Sequence, residues 1–252
     1  MKYNFIKFFC LYSSIMAFGA PLYAARIALN VVATGKYAAY ADEMLVSARR
    51  YFCTDHEVHF FVFTDGEITA APDVTQVFQK RLGWPYDTLM RFAIYLKNKE
   101  LFKEFDYVFA TDADMLFVSP VGSEILSERV ATQHPGYTAH RGTYETNKIS
   151  KAYVAPHEGK YYFCGGFYGG SKDEFFNMME AVVAQIETDL QKNFIAVWHD
   201  ESHLNRFFID NLPTKILSPS YCYPENAQNY RAIWHLKRKL VALDKNHNEV
   251  RK

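Results

Sequence analysis

A strand, a helix and a second strand can be read in succession near the start of the chain, and that order permits few architectures. Arg26 to Ala33 (Arg-Ile-Ala-Leu-Asn-Val-Val-Ala) is the near-continuous apolar run of a strand buried on both faces. It breaks at Thr34-Gly35-Lys36-Tyr37. Apolar side chains then recur at Tyr37, Ala41, Met44, Ala48 and Tyr51, which is helical spacing. Glu57 to Thr64 is the next strand, ending at Asp65-Gly66. This pattern predicts an α/β fold with a mostly parallel sheet and a right-handed crossover. Gly35 lets a ligand approach the first strand–helix junction. Neither Gly-x-Gly-x-x-Gly nor a Walker loop occurs there, so a nucleotide is not cradled in either of those ways.

The second constraint is chemical. The apolar run Tyr107 to Ala110 stops at Thr111-Asp112-Ala113-Asp114, and another run, Met115 to Val118, follows. Side chains at i and i+2 of an extended chain share a face. Asp112 and Asp114 can therefore reach one cation from the C-terminal edge of a sheet, where α/β proteins bind nucleotides. Carboxylates suit hard ions such as Mg2+ and Mn2+, which keep positions open for substrate phosphates. Two turn aspartates at a strand end would look the same.

Between these features, Val74 to Gln79 reads as a short strand. Trp84 to about Asn98 reads as a helix capped by Asp87 or Thr88. Ser119 to Lys160 reads as a loop-rich insertion of the kind that binds ligands. In Tyr161 to Gly170 (Tyr-Tyr-Phe-Cys-Gly-Gly-Phe-Tyr-Gly-Gly) the paired glycines allow close backbone approach, and the aromatics offer faces for a sugar ring. A tight hairpin with packing aromatics fits the stretch equally. Ser171-Lys-Asp-Glu174 is a capping box ahead of a stripe at Phe175, Met179, Val182, Val183, Ile186 and Leu190. In Val197 to Asn205, Asp200 and Glu201 fall in a first helical turn, where the helix dipole also favours carboxylates. His199 and His203 lack the acid spacing of His-Glu-x-x-His, which argues against a zinc protease.

Lys+Arg and Asp+Glu balance at 28 each, so no basic excess points to nucleic acid. The four cysteines, Cys10, Cys53, Cys164 and Cys222, form no Cys-x-x-Cys, which excludes a zinc knuckle. Residues 1–25 stand apart. Lys2 and Lys7 precede the apolar run Phe8 to Ala20, and small residues close it at Tyr23-Ala-Ala25. The pattern is that of a signal peptide or short membrane anchor, implying export or a membrane tether. Residues 26–252 are expected to form a single folded domain.

The motifs together resemble family-6 glycosyltransferases, the family of the ABO histo-blood-group transferases, the α-1,3-galactosyltransferases and their bacterial relatives. The stretches that carry the resemblance are Phe61 to Asp65, Asp112 to Met115, His134-Pro-Gly136, Tyr161 to Gly170, Trp198-His-Asp-Glu-Ser-His-Leu-Asn205, Pro213 to Pro219 and Lys245-Asn-His247. They run in the family's order from about residue 27 onward, and the octet at 198–205 is the most specific. A glucosyltransferase of another family would share Asp-x-Asp but not that octet. A lectin-like carbohydrate-binding module would explain the aromatics but would not require Asp112, Asp114 and Glu201.

The resemblance implies a GT-A fold, a Rossmann-like mostly parallel sheet flanked by helices. It implies transfer of N-acetylgalactosamine or galactose from a UDP-sugar donor to the 3-hydroxyl of a galactose-terminated glycan acceptor, with retention of configuration. Asp112 and Asp114 would hold Mn2+ against the diphosphate. Tyr37 would contact the uracil, and Arg91 the donor sugar and diphosphate. Lys245 and Arg251 would close over the diphosphate, and Asp200 would position the donor sugar. Cys164, Gly165 and Gly166 would lie against the sugar's C2 substituent. His134 and Trp198 would contact the acceptor, and Glu201 would be the catalytic carboxylate. Many bacterial members carry Asn-x-Asn and work without metal; this chain carries the charged version.

Overall fold

The computed structural model describes residues 24–245. Residues 1–23, most of the proposed leader or anchor, lie outside them, as does Arg251. No helix among the described residues is long and apolar enough to cross a membrane.

The first strands form as their apolar runs require: β1 spans Arg26–Val32, β2 Glu57–Thr64 and β3 Val74–Phe78. Helix α1, Ala38–Tyr51, joins β1 to β2 and buries Ala41, Met44, Leu45 and Ala48. β4 is Tyr107–Asp112, β5 Met115–Phe117 and β6 Arg129–Gln133. β7 is Phe163–Ser171, β8 Lys215–Leu217, β9 Tyr223–Pro224 and β10 Leu240–Ala242. The main sheet has the order β3-β2-β1-β4-β7-β6-β8. It is parallel from β3 to β4, and β7 runs antiparallel to both neighbours. A smaller sheet, β5-β10-β9, brings Leu240–Ala242 beside the Asp-x-Asp turn.

Alternation along β1 sorts the core into two layers. Ile27, Leu29 and Val31 pack with α1, Phe117 and Leu240. Ala28 faces the other layer, made by α3 (Arg91–Lys97), α4 (Lys172–Gln191) and α5 (His199–Asp210). The expected stripe of α4 lies in this layer.

Five local expectations are corrected. The helix expected from Trp84 is two: α2, Tyr86–Leu89, then α3, with a break at Met90. Asp87 does not cap α2; its Oδ1 accepts from Leu82 N (2.6 Å) and Thr34 Oγ1 (3.3 Å) instead. Ser171 makes no side-chain cap bond, and Glu174 pairs with Arg129 at 2.5 Å. The loop-rich insertion contains strand β6. The aromatics of Tyr161 to Gly170 are not a sugar platform: Tyr162, Phe163, Phe167 and Tyr168 are buried, because β7 is an interior strand. At Gly169 a Cβ would lie 2.5 Å from Val108 O, so this glycine serves packing against β4.

Candidate active site

A cleft of about 310 Å3 opens at the C-terminal ends of β1 and β4. Tyr37, Arg91, Asp112, Asp114, Gly165, Gly166, Trp198, Asp200, Glu201 and Lys245 line it. Sequence positions more than 200 residues apart thus converge on one wall-to-wall site.

Its centre is Arg91. The side chain donates from Nη1 to Asp112 Oδ1 (2.6 Å) and to Gly165 O (3.1 Å), and from Nη2 to Asp200 Oδ2. Burial works against the Arg91 charge, but Asp200 and Asp112 outweigh it and hold the guanidinium's pKa well above its ordinary value. Arg91 therefore stays charged and fixes two carboxylates from different elements. Burial pushes Asp200 up to about 6 against the attraction of Arg91.

Asp112 ends β4, and Asp114 follows in a turn rather than in extended chain, yet both reach the cleft. Asp114 is 4% exposed and pairs with the Lys245 ammonium, which also lies 4.9 Å over the Tyr37 ring. The backbone supports this pairing: Leu243 N donates to Asp114 O at 2.9 Å as β10 aligns on β5. Among the described residues no three His, Cys, Asp or Glu side chains gather as a metal cluster. Two carboxylates with hard oxygen donors fit a metal that completes its shell with substrate oxygens.

Glu201 stands in the first turn of α5. Its Oε2 accepts from Gly165 N at 2.8 Å. Burial pushes its carboxyl from the ordinary 4.5 to about 7, with the Gly165 bond pulling the other way and the Asp200 charge adding to the rise. Asn205, one turn on, explains how α5 is set against the sheet. Its Oδ1 accepts from Phe163 N and its Nδ2 donates to Phe163 O, both at 2.8 Å, as a neighbouring strand would. The same Nδ2 donates to Glu201 O at 2.9 Å. Asn205 lay in the octet, but nothing in its spacing marks an amide that substitutes for a strand.

Gly165 and Gly166 face opposite sides of a bulged segment, since the register of β7 on β6 shifts there. A Cβ at Gly165 would lie 3.0 Å from Arg91 Nη2, and one at Gly166 3.2 Å from Cys222 Sγ and 3.7 Å from Asp112 Oδ2. Cys164 turns into the core beside Cys222 and does not line the cleft. His134 also lies off the cleft lining. Its Nδ1 accepts from Gly136 N at 3.0 Å, its ring packs on Tyr137 and Tyr162, and burial lowers its pKa to about 4, so it is neutral. Trp198 is 47% exposed at the mouth, with Nε1 donating to Thr143 Oγ1 at 3.0 Å. The two histidines of the octet part company: His199 packs on Trp84, and His203 is buried 3.7 Å from Asp189.

Comparison with known proteins accords with this geometry. The model of "Glycosyltransferase family 6" matches residues 21–252. The mouse globoside alpha-1,3-N-acetylgalactosaminyltransferase 1 is 34% identical over 239 residues, covering 89% of this chain and 68% of that protein. The rat histo-blood group ABO system transferase 1 is 34% identical over 238 residues, again 89% and 68%. The Escherichia coli O-antigen biosynthesis glycosyltransferase WbnI is 28% identical over 202 residues, 77% of this chain and 86% of that one.

Proposed function

Because this chain belongs to glycosyltransferase family 6, and is therefore a hexosyltransferase of GT-A fold, we propose that it transfers N-acetylgalactosamine from UDP-N-acetylgalactosamine to the 3-hydroxyl of a terminal galactose, with retention. The observation that supports this most is the convergence of Asp112, Asp114, Arg91, Asp200 and Glu201 around the Gly165–Gly166 backbone. A sugar-binding module has no use for four carboxylates gathered in one cleft, two of them fixed by the Arg91 guanidinium. Release of UDP from UDP-N-acetylgalactosamine, dependent on a β-galactoside, tests the reading. Galactoside binding without UDP release would overturn it.

In this reading the uracil lies by Tyr37 and the diphosphate by Asp112, Asp114 and Lys245. Asp112 and Asp114 hold a divalent cation such as Mn2+, which supplies Lewis-acid stabilisation of the departing diphosphate. Arg91 and Asp200 orient the donor sugar. Trp198 gives the acceptor galactose an apolar face, and His134 supports that side through Tyr137 and Tyr162. Glu201 meets the anomeric centre, where an ionised carboxylate serves either as nucleophile or as stabiliser of an oxocarbenium-like state.

The tail is assigned to the diphosphate. Truncation after Leu243 removes Lys245, the partner of Asp114, together with Arg251. Loss of one charge-assisted contact, worth about 1.5–3 kcal/mol, is expected to weaken UDP binding at least about tenfold. Calorimetry checks this, and unchanged affinity would make the tail only a solvated end.

Donor choice rests on Gly166. Its bare backbone is bounded by Cys222, Met115 and Asp112, and a Cβ there would already come within 3.2 Å of Cys222 Sγ, so the space beside it persists only while it carries no side chain. An acetamido group needs such space, whereas a hydroxyl does not. Gly166→Ala is expected to shift the ratio of donor kcat/KM values toward UDP-galactose, within the ~1–3 kcal/mol that pocket size can discriminate. A wild type that already prefers UDP-galactose by about tenfold or more would refute the assignment.

A further inference from the structure

Glu145 lies outside the cleft lining, yet it is a 5%-exposed carboxylate with both oxygens engaged. Oε1 accepts from Asn147 N at 2.7 Å, within its own loop. Oε2 accepts from Val197 N at 2.8 Å, in the turn that delivers Trp198 to the mouth of the site. That turn is constrained: His199 has φ +49°, in the left-handed region that non-glycine residues seldom enter. Trp198 N donates to Ser202 Oγ at 3.0 Å, and its indole N–H reaches back to Thr143, two residues before Glu145. The turn and the loop are therefore joined at two points, and the shorter of the two bonds ends on a buried carboxylate, which accepts more strongly than a neutral oxygen.

The loop does not need this junction to stay attached. Its far end is held by Asp189 of α4, which accepts from Ser150 Oγ at 2.5 Å and Lys151 N at 2.7 Å. Glu201 does not need it either, because Gly165 and Asn205 hold it from the sheet side. The link from Glu145 to Val197 bears on Trp198 and on little else in the site.

We propose that Glu145 is a positioning residue for the acceptor: it fixes the Val197–Trp198 turn against the 143–154 loop and so sets the face of Trp198 that the acceptor sugar meets. The proposal rests on the acceptor reading of Trp198 given above. Misplacing a substrate-orienting group by about 1 Å costs up to about a hundredfold in rate.

Glu145→Gln keeps the size but turns one acceptor oxygen into a donor, and Glu145→Ala removes both acceptors. In either variant, kcat/KM for a β-galactoside acceptor is expected to fall about tenfold to a hundredfold. Hydrolysis of the UDP-sugar without acceptor should stay at the wild-type rate. Hydrogen exchange should show lost protection at Val197 with unchanged protection in β1 and β4. Transfer and hydrolysis falling in equal proportion, or neither changing, would overturn the proposal. Should the alanine variant fail to fold, the glutamine variant carries the test. A wild type that hydrolyses donor but accepts no galactoside defeats the acceptor reading itself. Exchange at Val197 then still decides whether Glu145 holds the turn, and unchanged protection there overturns the link.

Discussion

Glu201→Gln is expected to lower turnover by about 10²–10³-fold, the usual loss when one preorganised transition-state charge is removed. UDP affinity should stay near wild type, because the proposed diphosphate contacts are Asp112, Asp114 and Lys245. The variant preserves shape, and its amide oxygen can still accept from Gly165 N, the bond that places the side chain. What it removes is charge. In the proposed role the ionised form is the active one, and burial pushes its pKa up to about 7. The kcat/KM profile of the wild type should therefore rise with pH and level off above about 7.

Stability should move the other way. The folded-state value lies above the ordinary 4.5, so the folded protein holds this proton more tightly than the unfolded chain. That contribution is present below 4.5 and is lost as pH rises through about 7. Glu201→Gln should accordingly melt higher than wild type at pH 8 and show no such gain near pH 4. Near-normal turnover in the variant would remove Glu201 from the chemistry, whatever its melting temperature.

EDTA is expected to abolish transfer and Mn2+ to restore it, and Asp114→Asn should lose at least about a hundredfold without unfolding the protein. The argument is charge balance. Arg91 is shared between Asp112 and Asp200, and Lys245 is matched to Asp114, so these three carboxylates face two cations. A diphosphate entering beside them adds negative charge. Unit charges about 4 Å apart repel by about 4 kcal/mol at an effective dielectric of about 20. Lys245 cannot neutralise both Asp114 and the diphosphate, and in the proposed reading a divalent cation supplies the missing positive charge. The variant should stay folded because the link from Leu243 to this turn uses the Asp114 carbonyl, not its carboxylate. Full turnover in EDTA would sink the metal assignment and leave the transferase family intact.

What could be read from the sequence was local or motif-borne. β1, α1 and β2 follow from apolar spacing, since each buries a face that its own residues announce. The stripe of α4 is equally plain. β7 was legible only as an oddity. Its place between β4 and β6 depends on pairing Phe109 with Gly169 and Val130 with Gly169, partners far away in the chain. Of the two readings the stretch allowed, sugar platform or packing aromatics, the pairing selects packing: Tyr162, Phe163, Phe167 and Tyr168 are core. The caps at Asp87 and Ser171 failed for a related reason: tertiary partners, Leu82 and Thr34 for the first and the Arg129–Glu174 pair beside the second, took the groups that a local rule assigns to the helix. In the site, the motifs pointed to Arg91, Asp200 and Glu201. Glu145 and Asn205 act through backbone groups of distant segments, and no spacing rule marks such partners.

Gly165 has a consequence for how this enzyme can diverge. Its N–H is held by Glu201 and its carbonyl by Arg91. Neither group is encoded by a side chain, so no single codon change at 165 deletes either bond, while almost any change there drives a Cβ toward Arg91. A side chain at this position would press on the Arg91 guanidinium that two carboxylates hold in place, yet the glycine contributes no side-chain chemistry of its own. Variation in a lineage descending from this chain is thereby channelled to the opposite side of the bulge, where Gly166 faces Met115 and Cys222. Those are exchangeable side chains at the edge of a fixed peptide scaffold. Under the donor assignment proposed for Gly166, a new sugar preference would accumulate there by small, reversible steps while the Arg91–Gly165–Glu201 geometry is inherited unchanged.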